Sequence, residues 1–170
     1  NMVTKVKFMY ENLPSWLKID APENNKLTLR LSNGSQIKAT SASSDAGRSE
    51  AVSLLLIDEA AFIDNIGEIW ASAQQTLATG GGCIALSTPY GTGNWFHQTW
   101  VRAENAENDF LPIKLPWYVH PERDQTWRDR QDELLGDPRM AAQECDCDFS
   151  TSGDTVFYAE YLEFYEQTYI

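Results

Sequence analysis

A chain of 170 residues with 42% hydrophobic and 22% charged side chains has the size and balance of one globular domain with a real core. Its net charge of −12 argues against a nucleic-acid clamp spread over the whole surface, though a local basic patch remains compatible with it. No apolar run approaches the length needed to cross a bilayer, and the polar start Asn1-Met2-Val3-Thr4-Lys5 lacks a secretory pattern.

Val6, Met9, Tyr10, Leu13 and Leu17 recur at helical spacing, which predicts an amphipathic helix from about Val3 to Lys18, with Pro14 breaking it or starting a last turn. Leu27 to Leu31 alternates apolar and polar residues, Asn33-Gly34 marks a tight turn, and Ser35 to Thr40 returns, so a β-hairpin is expected. Thr40 to Glu50, rich in Ser, Asp and Gly, reads as an exposed loop. Ser53-Leu54-Leu55-Leu56-Ile57 then reads as a strand buried on both faces, the pattern of a central parallel strand. Ile66, Ile69, Trp70, Ala73 and Leu77 fall on one face of a helix over Ile66 to Ala78, which Gly80-Gly81-Gly82 ends. Cys83 to Ser87 is the next short apolar strand. Ser53 to Thr88 is therefore one βαβ unit with parallel strands.

Further on, Asn94 to Glu107 reads as a helix with Trp95, Phe96, Thr99 and Trp100 inward, and Phe110 to Leu115 as another strand. Asp124 caps a helix to Leu135, and Asp137-Pro138 opens another with Asp as N-cap and Pro at the first helical position. Phe149 to Asp154 reads as a loop before an aromatic tail. The fold class expected is α/β, a mostly parallel sheet flanked by helices with a β-hairpin ahead of the Leu54 strand. The three cysteines, with only two histidines, lack the paired spacing of zinc modules and read as reduced thiols. The six tryptophans read as core and interface anchors, with a base-stacking platform as the sharper alternative.

Three constellations carry candidate chemistry. Asp58-Glu59 ends the first parallel strand, where an unpaired buried carboxylate would be costly. The placement makes sense if Asp58 supports Mg²⁺ and Glu59 orients and deprotonates an attacking water, as in a nucleoside-triphosphate hydrolase. The plainer alternative is a solvated acid pair leading into a helix. Ser87-Thr88-Pro89-Tyr90-Gly91-Thr92-Gly93 leaves the neighbouring strand, so its hydroxyls emerge at the same carboxyl edge, where α/β sheets bind ligands. Its plainer alternative is a Pro/Gly turn. Arg48, in the loop before the strand, could stabilise transition-state charge or simply balance Asp45 and Glu50 on the surface. His97 reads as a packed or surface histidine. The phosphate cradle G-x-x-x-x-G-K-[ST] occurs nowhere in the 170 residues.

The order of blocks then carries a resemblance. The hairpin with Asn33-Gly34-Ser35, Ala46-Gly47-Arg48, Leu54-Leu55-Leu56-Ile57-Asp58-Glu59-Ala60-Ala61-Phe62-Ile63, and Leu86-Ser87-Thr88-Pro89-Tyr90-Gly91 together resemble the large terminase subunit of tailed bacteriophages, T4-like type. Phe149-Ser150-Thr151-Ser152-Gly153 is similar to a segment near the end of that family's ATPase domain. The resemblance spans roughly residues 25 to 157. It implies a P-loop NTPase-like fold of the additional-strand type and an ATP-hydrolysing DNA-packaging motor. It also implies Asp58 as the Walker B ligand of Mg²⁺, Glu59 as the activator of water, Ser87 and Thr88 as the coupling motif, and Arg48 as an arginine finger. The family's Walker A would lie upstream of Asn1 and its nuclease domain beyond Ile170. Residues 1–157 would then be a partial ATPase domain and 158–170 the start of a linker or tail, in keeping with a chain that starts on Asn. Without the loop lysine, these residues are expected to bind ATP poorly and to hydrolyse it negligibly. ATP and Mg²⁺ are expected in the parent protein, none tightly bound here. The partners implied are double-stranded DNA, the portal protein, the small terminase subunit and further copies in a ring, in the host cytoplasm and without a membrane. A sheet lacking the strand that leads into Walker A could self-associate through its edge. A helicase-like additional-strand ATPase, sharing Asp-Glu and Ser-x-Thr, and a non-catalytic interaction module are the alternatives.

Overall fold

The computed structural model describes residues 2–42, 52–78, 80–150 and 164, 165 and 168. Arg48 and the Ala46-Gly47-Arg48 block lie outside the described residues, as do Thr151, Ser152 and Gly153.

The first helix, α1 (Met2–Glu11), stops well before Lys18. Pro14 starts a separate turn that the Leu17 N–H closes on the Pro14 carbonyl (2.9 Å). Past the helix the chain folds back on it: the Tyr10 hydroxyl donates to the Ile19 carbonyl (2.6 Å), and the Lys18 ammonium sits 5.1 Å from the Tyr10 ring centroid. Next come β1 (Glu23–Asn24), β2 (Thr28–Arg30) and β3 (Gln36–Lys38), an antiparallel sheet in the order β1-β2-β3. The hairpin is where Asn33-Gly34 put it, with Leu29 opposite Ile37. Gly34 takes φ +89°, and the Asn33 side chain accepts from the Ser35 N–H (3.0 Å), the local bond that makes Asn a turn residue. The two-residue strand β1 has no pattern in the sequence that announces it.

The βαβ unit is present as read: β4 (Leu54–Ile57), α2 (Ile66–Leu77) and β5 (Gly82–Ala85). β4 and β5 pair in parallel, from Leu54 opposite Gly82 to Ile57 opposite Ala85. Ile66, Ile69, Ala73 and Leu77 are buried on α2, and Ile57, Ala60, Ile66 and Ile69 form a core cluster with Leu55, Trp70, Cys83, Ala85, Trp95 and Phe96 packed on it. The other face of the sheet corrects the expectation of a strand buried on both sides. Leu54 and Leu56 are 56% and 41% exposed, and Ile84 is 49% exposed. Alternation along a strand sends these side chains away from α2, and no described element packs over them.

Helix α3 (Trp95–Glu104) is capped by Asn94, whose side chain accepts from the His97 N–H (2.9 Å). The strand expected over Phe110 to Leu115 does not form. These residues run without regular structure, and Leu111, Ile113 and Leu115 are exposed. Their alternation is strand-like, but among the described residues no neighbouring strand accepts their backbone groups, and a strand exists only as part of a ladder. α4 (Gln125–Leu135) is capped by Asp124, and α5 (Pro138–Ala141) by Asp137, as their sequence signals required. α5 continues into a π-helical turn over Ala142–Asp146. Most tryptophans are packing anchors: Trp70 lies 5.8 Å from Trp95 and 5.4 Å from Phe110, and Trp117 stacks on Trp127 at 6.4 Å, whereas Trp16 is 82% exposed. The architecture is α/β, with a small parallel sheet and helices. No helix among the described residues is long and apolar enough to cross a membrane.

Candidate functional site at the carboxyl edge of the parallel sheet

Because β4 and β5 are parallel and in register, their carboxyl ends open on the same edge. Asp58 and Glu59 follow Ile57 directly, and Leu86, Ser87 and Thr88 follow Ala85. The two ends are laced together. The Leu86 N–H donates to the Ile57 carbonyl (3.0 Å), and the Ala60 N–H donates to the Leu86 carbonyl (3.1 Å). The Ala61 N–H donates to the Ser87 Oγ (3.2 Å). Ser87 is thus fixed against the turn that carries the acids, by a hydroxyl no other residue type but Ser or Thr would place there. Phe62 and Tyr90 add a ring contact at 4.6 Å between the two segments.

The turn itself is unusual. Glu59 takes φ 54°, ψ 42°, a left-handed conformation that is costly for a side chain with a Cβ. A 3₁₀ turn, Ala60–Phe62, follows at once. This reversal lets consecutive residues leave the pleat, so Asp58 and Glu59 no longer obey strict strand alternation. Ala60 and Ala61, which follow the acids, are buried.

Both acids are exposed, so the burial penalty expected for them is absent and water solvates them. Their carboxylates make no hydrogen bond or ion pair with another described residue. They are open to a ligand from solvent. Among the described residues no three His, Cys, Asp or Glu side chains converge as a metal-binding group.

Thr88 reaches in the other direction. Its hydroxyl donates to Glu144 Oε1 (3.4 Å), on the π-helical turn, and Gln143 Nε2 donates to the same oxygen (2.9 Å). Glu144 carried no signal in the sequence, since 56 residues separate it from Thr88 and only the fold brings them together. His97 is a packed histidine. The Gly93 N–H donates to its Nδ1 (3.2 Å), and its ring meets Phe149 edge-on at 5.0 Å. It stands in the first turn of α3. The structure therefore sets Asp58 and Glu59, after β4, at the same edge as Ser87, after β5, and turns the Thr88 hydroxyl to Glu144. Arg48 lies outside the described residues, so nothing relates it to them.

Residues 1–164 match the family of the terminase large subunit, T4likevirus-type, N-terminal. The match covers nearly the whole chain, which belongs to this family of DNA-packaging proteins. Membership decides between the terminase and helicase readings in favour of the terminase.

Proposed function

We propose that this T4-like terminase domain carries the water-activating side of an ATP-hydrolysing motor whose turnover drives DNA into the prohead. The observation that carries the reading is the shared edge: two exposed carboxylates after β4, bonded through Ala60 and Ala61 to Leu86 and Ser87 after β5. A doubly wound sheet binds its ligand at such an edge. A P-loop NTPase-like fold of the additional-strand type is consistent with it.

In this reading Glu59 is the general base. Its carboxylate, free of other partners among the described residues, accepts the proton of the attacking water and fixes the direction of attack. Asp58 is the carboxylate that would hold Mg²⁺. The exposed position fits that ion, which keeps several waters and takes one or two protein carboxylates rather than a full cage. When bound, Mg²⁺ neutralises charge on the phosphates of ATP. Ser87 and Thr88 report the state of the edge to the rest of the domain, and Arg48 supplies transition-state charge from its own or a neighbouring subunit. The phosphate-gripping G-x-x-x-x-G-K-[ST] loop is not among these 170 residues, so these residues alone bind ATP weakly. Partners of the complete protein are double-stranded DNA, the portal protein, the small terminase subunit and further copies in a ring, in the host cytoplasm. An open edge of the parallel sheet is a place for such self-association.

Two assays test this. In the assembled packaging motor, Glu59→Gln lowers ATP turnover by about a hundredfold or more while nucleotide binding persists. An unchanged turnover removes Glu59 as the base. In single-turnover assays on these 170 residues alone, wild type and Glu59→Gln are expected to match the uncatalysed rate. Glu59-dependent hydrolysis there would overturn the division of labour between the two halves of the site.

A further inference from the structure

We propose that Glu144 is a positioning residue: through the Thr88–Glu144 hydrogen bond it ties the turn after β5 to the segment Cys147–Ser150. The proposal rests on reading Thr88 as a reporter of the nucleotide edge, and it assigns the element that Thr88 acts on.

That element is the π-helical turn, Ala142–Asp146, closed by the Cys147 N–H donating to the Ala142 carbonyl. A π turn holds one residue more per hydrogen-bonded ring than an α turn; such turns are rare and frequently sit at functional sites. Its alternative is an α register, which would move every later residue by one position. In this proposal the turn switches between these two registers, the kind of device that coupling between sites requires. Cys147, at φ 54°, ends it in a strained left-handed conformation.

Two anchors hold the π register. On one side Arg128 of α4 grips Asp146 with two bonds, Nε to Oδ1 at 3.0 Å and an Nη to Oδ2 at 2.8 Å. The Arg128 side chain is only 11% exposed, so this anchor is firm. On the other side Glu144 accepts from Thr88 at 3.4 Å, a long and adjustable bond. The firm anchor is internal to the C-terminal helices, whereas the adjustable one leads to the strand edge with Asp58 and Glu59. What the turn controls is downstream. Phe149 packs on α3, with its ring 6.1 Å from Phe96, 5.0 Å from His97 and 6.1 Å from Trp100. Ser87, Pro89, Cys147 and Phe149 also line one small cavity, so the turn after β5 and the chain after the π turn share a wall. A shift of Thr88 thus reaches the residues through which the chain leaves this part of the fold.

Backbone hydrogen–deuterium exchange on the 170-residue chain, without nucleotide, tests the link. Thr88→Val and Glu144→Ala are each expected to speed exchange in 142–150 roughly two- to tenfold, the range of one lost hydrogen bond. The double variant should exchange no faster than the faster single one, because both remove the same contact. Thr88→Ser and Glu144→Gln keep a hydroxyl donor and a carbonyl acceptor and should stay at the wild-type rate, which a purely volumetric role for Thr88 would not produce. The hairpin 28–38 is the reference. Wild-type exchange in 142–150 for Thr88→Val, additive effects in the double variant, or equal loosening of the hairpin would each overturn the proposal. No nucleotide enters the measurement, so it can fail while the hydrolysis reading stands, and the Glu59→Gln turnover assay can fail while this link stands.

Discussion

Gly81 holds the parallel strands that build the site in register, and one methyl group there is expected to cost much of that alignment. A Cβ at Gly81 would lie 2.4 Å from the Val52 carbonyl oxygen, 2.7 Å from Leu77 Cδ2 and 3.3 Å from Leu77 Cα. The first is a backbone atom at the entry to β4. It cannot swing aside as a side-chain tip can, and Leu77 is itself buried. Overpacking of this kind costs about 1–3 kcal/mol. The loss of unfolded-state freedom on replacing Gly by Ala returns about 0.4–1 kcal/mol. With a backbone oxygen as the obstacle the upper part of the range applies, and the net cost for Gly81→Ala is about 2 kcal/mol. For a domain of this size that lowers Tm by roughly 4–8 °C. Gly67→Ala is the matched control. It stands in α2 with nothing within 4 Å of the added Cβ, and helix propensity makes it stabilising by about 0.5 kcal/mol. Thermal unfolding followed by circular dichroism reads both. The same substitution should move Tm in opposite directions. If Gly81→Ala melts within a degree of Gly67→Ala, the α2–β5 turn does not press on Val52 and the register argument fails.

Glu59→Gly should raise stability by about 0.5–1 kcal/mol, because the left-handed backbone costs about 1–2 kcal/mol with a Cβ and glycine returns part of that as unfolded-state entropy. Glu59→Gln keeps the Cβ and should leave stability unchanged, so urea midpoints that place the Gly variant at or below the Gln variant would show that no strain is stored there. Burial pushes the Cys83 thiol up from 9.0 to about 11. At pH 9 its thiolate fraction is then roughly fiftyfold below that of an unperturbed thiol, and alkylation mapped by mass spectrometry should be slower in proportion. The sign for stability follows: between pH 9 and about 11 the folded state keeps a proton that the unfolded chain has lost, so the domain weakens as pH rises through that window. Cys83 labelling at the rate of a free thiol would place it at the surface instead.

What the sequence disclosed and what it withheld divide along the range of the interactions. The β4–α2–β5 unit was legible because each part is specified locally: an apolar run, a helical repeat of Ile66, Ile69, Ala73 and Leu77, and glycines to turn the chain. The hairpin and the caps at Asp124 and Asp137 were legible for the same reason, since each is a side chain bonded within three residues of itself. Phe110 to Leu115 was misread because alternation specifies a strand's faces and says nothing about whether a neighbour is present to pair with it. Leu54 and Leu56 were misread in the opposite sense, as a continuous apolar run implies cover on both faces that the described residues do not supply. The candidate site falls between these cases. That Asp58-Glu59 and Ser87-Thr88 share an edge follows from a parallel pair of strands, which the sequence announces. That Glu59 is left-handed does not follow, because glutamate is a residue type that conformation disfavours.

Glu144 lies furthest from what a sequence can announce. Nothing in Gln143-Glu144-Cys145-Asp146 distinguishes it from a solvated acid on a helix, and its partner is in another part of the chain. Yet the fold gives neighbouring acids different work. Asp146 meets Arg128, a cation with a rigid fork, and the result is a fixed strut between α4 and the π turn. Glu144 accepts from the adjacent Gln143 side chain and, across the fold, from one hydroxyl at 3.4 Å, a contact that a small movement of the β5 end can make or break. An element pinned firmly at one end and loosely at the other responds to the loose end. In a domain whose family packages DNA, the edge that holds Asp58 and Glu59 and the segment that carries Phe149 are then two ends of one lever, with Thr88 and Glu144 as its joint.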